Sequence, residues 1–283
     1  MDHDWRCVTG VVAVVASLVL GSAAGLARSD PAAPSPGKRF ELAARLRVDH
    51  TWGSVAAGEH PTLVRAGPTL EVRDDWGLRR AACLSGGLTW YRNGSRRAGF
   101  SYERGRHEGD VVFSRGFAYD DDTFTAGERA VTTLRLEVIE VRYERRLRSA
   151  WIGAGLRYTT VEAGIVTSTL NPPGEREHVG ALSPVVCLEA AGAVAKTVDL
   201  VGEARAGLFG LPVALWEPAG IRFAEVAGGV RWRPHARWTL VLGVEARAIH
   251  MRYAGREADR VSFGDNRVDL RMLGPVVKVG ARV

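Results

Sequence analysis

An acidic triplet, Asp120 to Asp122, is the first group whose residue types suggest chemistry, and His107 and Glu108 precede it. Carboxylates near a histidine can activate water, as in some surface proteases, and carboxylate oxygens bind Ca²⁺. The spacing fits neither a protease arrangement nor an EF-hand loop, and the seven histidines form no metal-ligand pair. We therefore expect no enzyme activity, no cofactor and no metal site.

Charged residues also recur at every second position of several longer segments. In residues 39–52, Phe40, Leu42 and Leu46 occupy even positions, whereas most odd positions hold charged residues such as Arg45. Side chains alternate between the two faces of a β-strand, so this pattern predicts a strand with one apolar and one charged face. Strands in soluble proteins usually have about 5–6 residues, and a strand that crosses a bilayer needs roughly 9–11.

Nine further segments repeat the alternation, and no window after residue 38 has a convincing helical periodicity. The ten predicted strands are residues 39–52, 62–73, 78–91, 131–147, 151–162, 179–193, 198–209, 222–233, 238–252 and 268–283. Within 131–147 the apolar face changes from Leu134 and Leu136 to Ile139 and Val141, which predicts a β-bulge.

The connections between these segments alternate in length. Four are short, with the sequences "DDW", "RS", "AKT" and "PHAR", whereas the long ones are residues 53–61, 92–130, 163–178, 210–221 and 253–267. Outer-membrane barrels have short periplasmic turns, longer extracellular loops and an even number of strands. The sequence therefore predicts an all-β fold, an antiparallel transmembrane β-barrel of about 10 strands over residues 39–283. Twelve strands would result if residues 109–119 and an upstream partner also crossed the membrane.

Tryptophans mark the ends of the predicted strands, and none lies in mid-strand. Amphipathic rings favour both interfaces of a bilayer, where they form aromatic girdles. The predicted girdle consists of Trp52, Trp76, Trp90, Trp151, Trp216, Trp232 and Trp238.

The charged face of each strand would point into the barrel. The expected lumen-lining residues are Arg45, Arg47, Glu71, Arg135, Glu137, Arg157, Glu203, Arg205, Glu245 and Arg247. Rings of arginine favour anions, so one interpretation is a polar lumen that admits small anionic solutes. The other is a cross-strand network of ion pairs that fills the barrel, because ten strands are close to the eight that side chains can fill. The sequence leaves both open.

Composition and the N-terminal segment agree with export. The chain has 46% apolar residues and a net charge of +6, which argues against disorder, and its mean hydropathy near zero excludes a helical membrane bundle. Residues 1–27 have the features of a signal peptide cleaved after Ala27, with an uncleaved anchor as the alternative, and residues 28–38 are expected to form a Pro-rich tether. One disulfide between Cys83 and Cys187 is arithmetically possible, but two unpaired buried thiols are the expected state.

Residues 133–162 combine a strand that ends in Tyr and an Arg pair, a tight turn and the sequence Gly-x-Gly-x-Arg-Tyr. Together with "AYDDDTFTAGERA" (118–130) and "GPVVKVGARV" (274–283), they resemble the Legionella-type major-outer-membrane-protein-like barrels found in planctomycetes. The resemblance covers mainly residues 118–283, and it implies an outer-membrane barrel without established catalytic residues. The chain ends in Val283, whereas outer-membrane barrels commonly end in an aromatic residue.

The expected function is that of a porin-like or structural protein with a narrow Arg/Glu lumen, in the outer membrane of a Gram-negative bacterium. The alternative is a surface enzyme or ligand receptor that acts through the extracellular loop 92–130. The expected partners are outer-membrane lipid, the barrel assembly machinery and small anionic solutes. Nucleic acid is not expected, because the arginines are scattered rather than clustered with aromatic residues.

Overall fold

The computed structural model describes residues 40–56, 69–78, 80–119, 122–167, 176–207, 219–257 and 260–283, so the predicted signal peptide and tether lie outside it. No helix in these ranges is long and apolar enough to cross a bilayer. The strands are β1 Phe40–Ala56, β2 Thr69–Glu71, β3 Arg80–Asn93, β4 Arg96–Val112, β5 Phe117–Tyr119, β6 Asp122–Phe124, β7 Arg129–Leu147, β8 Ala150–Thr167, β9 Arg176–Ala195, β10 Val198–Gly207, β11 Ala219–His235, β12 Trp238–Glu257 and β13 Arg260–Arg282.

Ten of these strands form one closed antiparallel barrel. Their order around it is β1, β3, β4, β7, β8, β9, β10, β11, β12 and β13, and β13 pairs with β1. The closing ladder extends from Glu41 opposite Arg282 to Ala56 opposite Arg267. Closure leaves no strand edge, as the membrane interior requires because it offers no hydrogen bonds to backbone groups. The predicted barrel of ten strands is confirmed, and the twelve-strand alternative is wrong.

Four short turns and both ends of the barrel sequence lie at one end, which we call the periplasmic end. The turns are residues 94–95, 148–149, 196–197 and 236–237. At the opposite, outer end, β2 pairs with β1, and β5 and β6 form a hairpin between β4 and β7. The predicted loop 253–267 is wrong, since β12 and β13 continue to Glu257 and Arg260.

Outward-facing side chains form an apolar band around the barrel. Leu42, Leu84, Leu156 and Leu242 point outward and are 50–63% exposed. A closed sheet with such a band suits contact with lipid, because the acyl chains cover the aliphatic surface.

Toward the outer end, the outward faces of β4, β7 and β8 become charged. Arg104 Nε lies 3.3 Å from Glu137 Oε1, and Arg135 Nη1 lies 3.2 Å from Glu162 Oε2. Charged side chains are unfavourable against acyl chains, so this part of the barrel projects beyond the apolar band.

One strand was misplaced in the sequence analysis. Residues 96–112, assigned to the loop 92–130, form β4 and pair with β3 and β7. Of the predicted strand 62–73, the structure shows only β2 as a strand, and "DDW" (74–76) lies in the outer connection between β1 and β3 rather than in a periplasmic turn. The strand number is nevertheless right, because one missed strand compensates for one wrongly assigned.

The predicted β-bulge in β7 is also wrong. The strand pairs with β4 and β8 in one continuous register. Leu134 and Leu136 point into the barrel, whereas Ile139 and Val141 point outward. The surroundings change along β7 rather than the direction of the side chains, since the interior near the outer end is apolar and the exterior is charged.

Candidate functional site

A belt of buried ion pairs crosses the middle of the barrel. Arg47 on β1 donates to Asp49 at 2.6 Å and to Glu103 on β4 at 3.1 Å, and it also pairs with Glu245 on β12. Arg247 on β12 donates to both carboxylate oxygens of Glu103, at 2.6 and 2.9 Å. Because β4 and β12 are four strands apart around the barrel, these contacts span its interior.

Arg157 on β8 extends the belt to the other wall. Its guanidinium donates to the two oxygens of Glu225 at 2.7 and 2.9 Å and to Glu140 at 2.9 Å. It also lies 4.0 Å from the centroid of the Phe223 ring. Arg247 Nε lies 2.6 Å from Glu225 Oε1, so the two halves of the belt are joined. Charge-assisted pairs of this kind stabilise a buried network as long as every member is present.

Two inward glycines on β8 leave room for charged neighbours on β7. A Cβ atom at Gly153 would lie 2.5 Å from Cγ of Glu144, and one at Gly155 would lie 3.0 Å from Cβ of Arg142. Both would also be too close to the β7 backbone. The Gly-x-Gly-x-Arg sequence therefore has a structural role here, because its glycines admit the β7 side chains and Arg157 enters the belt.

Apolar side chains fill the barrel between the belt and the outer end, and we call them the outer core. The barrel wall contributes, among others, Leu134, Leu136, Ile165, Phe223, Met251 and Leu270, and the connecting segments contribute Leu70, Val72, Trp76, Leu78, Phe113, Phe117 and Phe124. Phe113 packs edge-on against Phe117 and Phe124, with centroid distances of 4.7 and 5.6 Å. Thr132 on β7 donates to the carbonyl oxygen of Trp76 at 2.5 Å, which ties this inserted segment to the wall.

A cavity of about 120 Å³ lies on the periplasmic side of the belt, and we call it the vestibule. In its wall, Arg97 donates to Glu144 at 2.7 Å and to Glu189 at 2.5 Å. The Arg97 guanidinium lies 4.4 Å from the centroid of the Trp151 ring, and Tyr91 meets that ring edge-on. The vestibule therefore combines charged and aromatic surfaces.

Seven of the ten predicted lumen-lining residues point into the barrel. They are Arg45, Arg47, Arg157, Glu203, Arg205, Glu245 and Arg247. The other three assignments are wrong. Arg135 and Glu137 face outward because β7 has no bulge, and Glu71 is exposed on the short strand β2.

Five charged residues of the interior lie in segments that the sequence analysis misread. Arg97 and Glu103 fell in the segment taken for a loop, whereas Glu140, Arg142 and Glu144 followed the supposed bulge. If the alternation along residues 131–147 had been continued without a phase change, Glu140, Arg142 and Glu144 would have been predicted to lie inside the barrel.

Four of the predicted girdle tryptophans point outward and are 38–52% exposed, namely Trp52, Trp90, Trp232 and Trp238. Trp90 lies near the turn 94–95, and therefore at the periplasmic end rather than near a long loop. Trp151 instead points into the vestibule, and Trp76 is buried in the outer core because its segment folds into the barrel. Trp216 lies outside the described residues.

His107 and Glu108, two of the residues first considered for chemistry, do not converge. His107 is buried, with Nδ1 3.2 Å from Thr51 Oγ1, whereas Glu108 points to the opposite face of β4 and pairs with Arg106. The side chains of residues 120–122 lie outside the described part of the chain. Cys83 and Cys187 are free and buried, so the expected unpaired thiols are confirmed.

No family model and no curated protein matches the chain. It is similar to the structure of the outer membrane protease OmpT from Escherichia coli, with a TM-score of 0.52 and 10% identity, over 91% of this chain and 100% of that one. The translocator domain of the autotransporter NalP from Neisseria meningitidis has a TM-score of 0.40 and 10% identity over 98% of each chain. Ail from Yersinia pestis has a TM-score of 0.34 and 10% identity over 85% of this chain and 99% of that one. The fold is that of outer-membrane β-barrels, and the narrower resemblance to the Legionella-type family stays a prediction.

Proposed function

We propose that this chain is exported by its N-terminal signal peptide and resides in the outer membrane as a closed, structural β-barrel rather than an open porin. The observation that carries the proposal is the double obstruction of the interior, by the belt and then by the outer core. A solute would have to pass both layers to cross the barrel. Of the two interpretations that the sequence leaves open, we therefore favour the filled barrel.

The belt supports closure because separating its ion pairs requires a large free energy. Arg47, Arg157 and Arg247 each contact at least two carboxylates. Removing one partner of a buried ion pair costs about 3–5 kcal/mol, since the other charge is left unpaired. Opening a path through the belt would require several such pairs to break together.

The outer core supports closure for a different reason. An ion that enters an apolar layer loses its hydration without gaining polar ligands, so such a layer acts as a barrier even where it is thin. Trp76 and Leu78 are fully buried within this layer, and Phe113 and Phe124 almost fully.

The alternative role through the loop 92–130 loses most of its basis, because residues 96–112 form a barrel strand. Only the connection from residue 113 to residue 128 remains beyond β4. Of its aromatic residues, Phe113, Phe117 and Phe124 are buried in the outer core rather than displayed to a ligand.

Conductance in planar lipid bilayers tests the proposal. We expect the wild-type chain to give no discrete channel steps. A variant that combines Arg247→Ala and Glu103→Ala with a Gly-Ser segment in place of residues 70–78 should conduct. Gel mobility with and without boiling shows whether each sample is folded. Reproducible channel steps from the folded wild type would overturn the proposal.

A further inference from the structure

We propose that the vestibule binds a small multivalent oxyanion, a polyphosphate or polycarboxylate, that enters from the periplasm. The proposal goes beyond a structural role, because it gives the closed barrel a ligand site at its periplasmic end.

The vestibule has an excess of positive charge. Eight of the residues that line it are Arg or Lys, and three are Glu. Four further carboxylates lie against these arginines, those of Glu140, Glu144, Asp199 and Glu245. Eight positive charges against seven negative ones leave a small excess among the described residues, and the wall of the cavity itself holds only three of the carboxylates. A concave wall with one predominant sign of charge concentrates counter-ions.

Two side chains of this wall, Lys278 and Arg233, are incompletely paired. The Lys278 ammonium forms no ion pair with any described residue, and Glu189 and Glu203 act on it only from a distance. Arg231 and Arg233 share the carboxylate of Asp199, each at 2.9 Å, and Arg231 also lies 3.8 Å from Glu189. Arg233 Nε is buried and has no hydrogen-bond partner among the described residues.

The belt carries no such excess. Its four arginines, counting Arg205, which lies 3.5 Å from Glu140, face five carboxylates, and two of these, Glu140 and Glu245, also pair with Arg142 and Arg45 of the vestibule wall. An anion is therefore attracted as far as the belt and meets no excess of positive charge beyond it. This arrangement suits a binding pocket with one opening rather than the entrance of a channel.

The chemistry of the donors selects the ligand class. Guanidinium groups bind phosphate and carboxylate oxygens through paired hydrogen bonds, and an ammonium adds a mobile point charge. A wall with eight cationic groups matches a ligand with several negative charges better than a monovalent anion. Trp151 and Tyr91 add two aromatic side chains, which meet edge-on, to one side of the pocket.

Isothermal titration calorimetry on the folded chain in detergent tests the proposal, with pyrophosphate, citrate and acetate as probes. We expect saturable binding of one pyrophosphate or one citrate per chain, weakened by added salt, and no measurable binding of acetate. Binding of both multivalent probes would indicate recognition by charge, and binding of one alone would identify phosphate or carboxylate as the preferred group.

Lys278→Gln should weaken binding at least tenfold, and Arg233→Gln should do the same. Lys196→Gln is the matched control, because Lys196 lies exposed in a periplasmic turn outside the vestibule and its loss removes the same charge. We expect it to change the affinity less than twofold. Absence of saturable binding to the folded wild type, or equal losses in Lys278→Gln and Lys196→Gln, would overturn the proposal. Neither result bears on conductance, so the two proposals fail independently.

Discussion

Arg157 shows how a single residue can connect strands that are not neighbours in this barrel. From β8 it bonds with Glu225 and Glu140 and lies against Phe223. Its side chain is 2% exposed, so water cannot replace these partners if they are lost. The stability of the interior therefore depends on complete pairing more than on the number of charges.

Arg157→Ala should lower the free energy of unfolding by about 3–5 kcal/mol, because it leaves Glu225 and Glu140 with fewer counter-ions in a buried layer. Urea titration of the barrel in lipid vesicles measures the change. Arg104→Ala is the matched control, since Arg104 forms an exposed pair with Glu137 and such pairs contribute about 0–1 kcal/mol. Equal losses in the two variants would contradict the view that the belt is a buried network.

At the scale of elements, the sequence predicts β1 more clearly than it predicts β4. β1 was recognised because its outward positions hold aliphatic residues and its inward positions hold charged ones. In β4, Gly99, Gly105 and Gly109 occupy inward positions, and charged residues lie on both faces. The alternation of hydrophobicity is therefore weak, although the strand pairs along its whole length.

The β-bulge in β7 was wrongly predicted for a different physical reason. Its side chains keep strict alternation, but inward positions are apolar near the outer end and charged near the periplasmic end. Its outward positions are charged near the outer end and mainly apolar near the periplasmic end. A reversal of this kind looks the same in a sequence as a one-residue bulge, and only the strand register distinguishes them.

The placement of β4 predicts different reactivity for two positions on its outward face. We expect Arg106→Cys to react rapidly with a water-soluble maleimide in vesicles, whereas Phe100→Cys should react only after unfolding, because Phe100 lies in the apolar band. The two native thiols of the barrel are buried and contribute little background. Equal reactivity at both positions would instead indicate that residues 96–112 form an aqueous loop.

At the scale of the whole molecule, the closed barrel was predictable although β4 was not. The strand number and three of the four short turns were inferred correctly, because antiparallel neighbours need only short turns at one end. The filling of the interior was not predictable. It depends on Trp76 and its neighbours folding back inside, and their sequence carries no alternation that would indicate this.

Closure itself predicts a specific cross-link. Leu42 on β1 and Ala281 on β13 are directly opposite each other and both face outward. Residues in such pairs lie about 4.5–5.5 Å apart, within the range for a disulfide. The double variant Leu42→Cys with Ala281→Cys should therefore form an intramolecular disulfide on oxidation, detected by peptide mass spectrometry. Val48→Cys with Ala281→Cys, displaced by roughly 20 Å along β1, should not, and efficient cross-linking of that control would argue against the register.

The reversal of polarity along β7 also fixes how deeply the protein sits in its membrane. Sinking toward the periplasm would bring Arg104, Arg135 and Glu137 into contact with acyl chains, and an arginine at the bilayer midplane costs about 2–4 kcal/mol. Rising would expose the outermost side chains of the apolar band, such as Ile139 and Val141, to water. The immersion depth is thus a minimum set by the barrel's own surface.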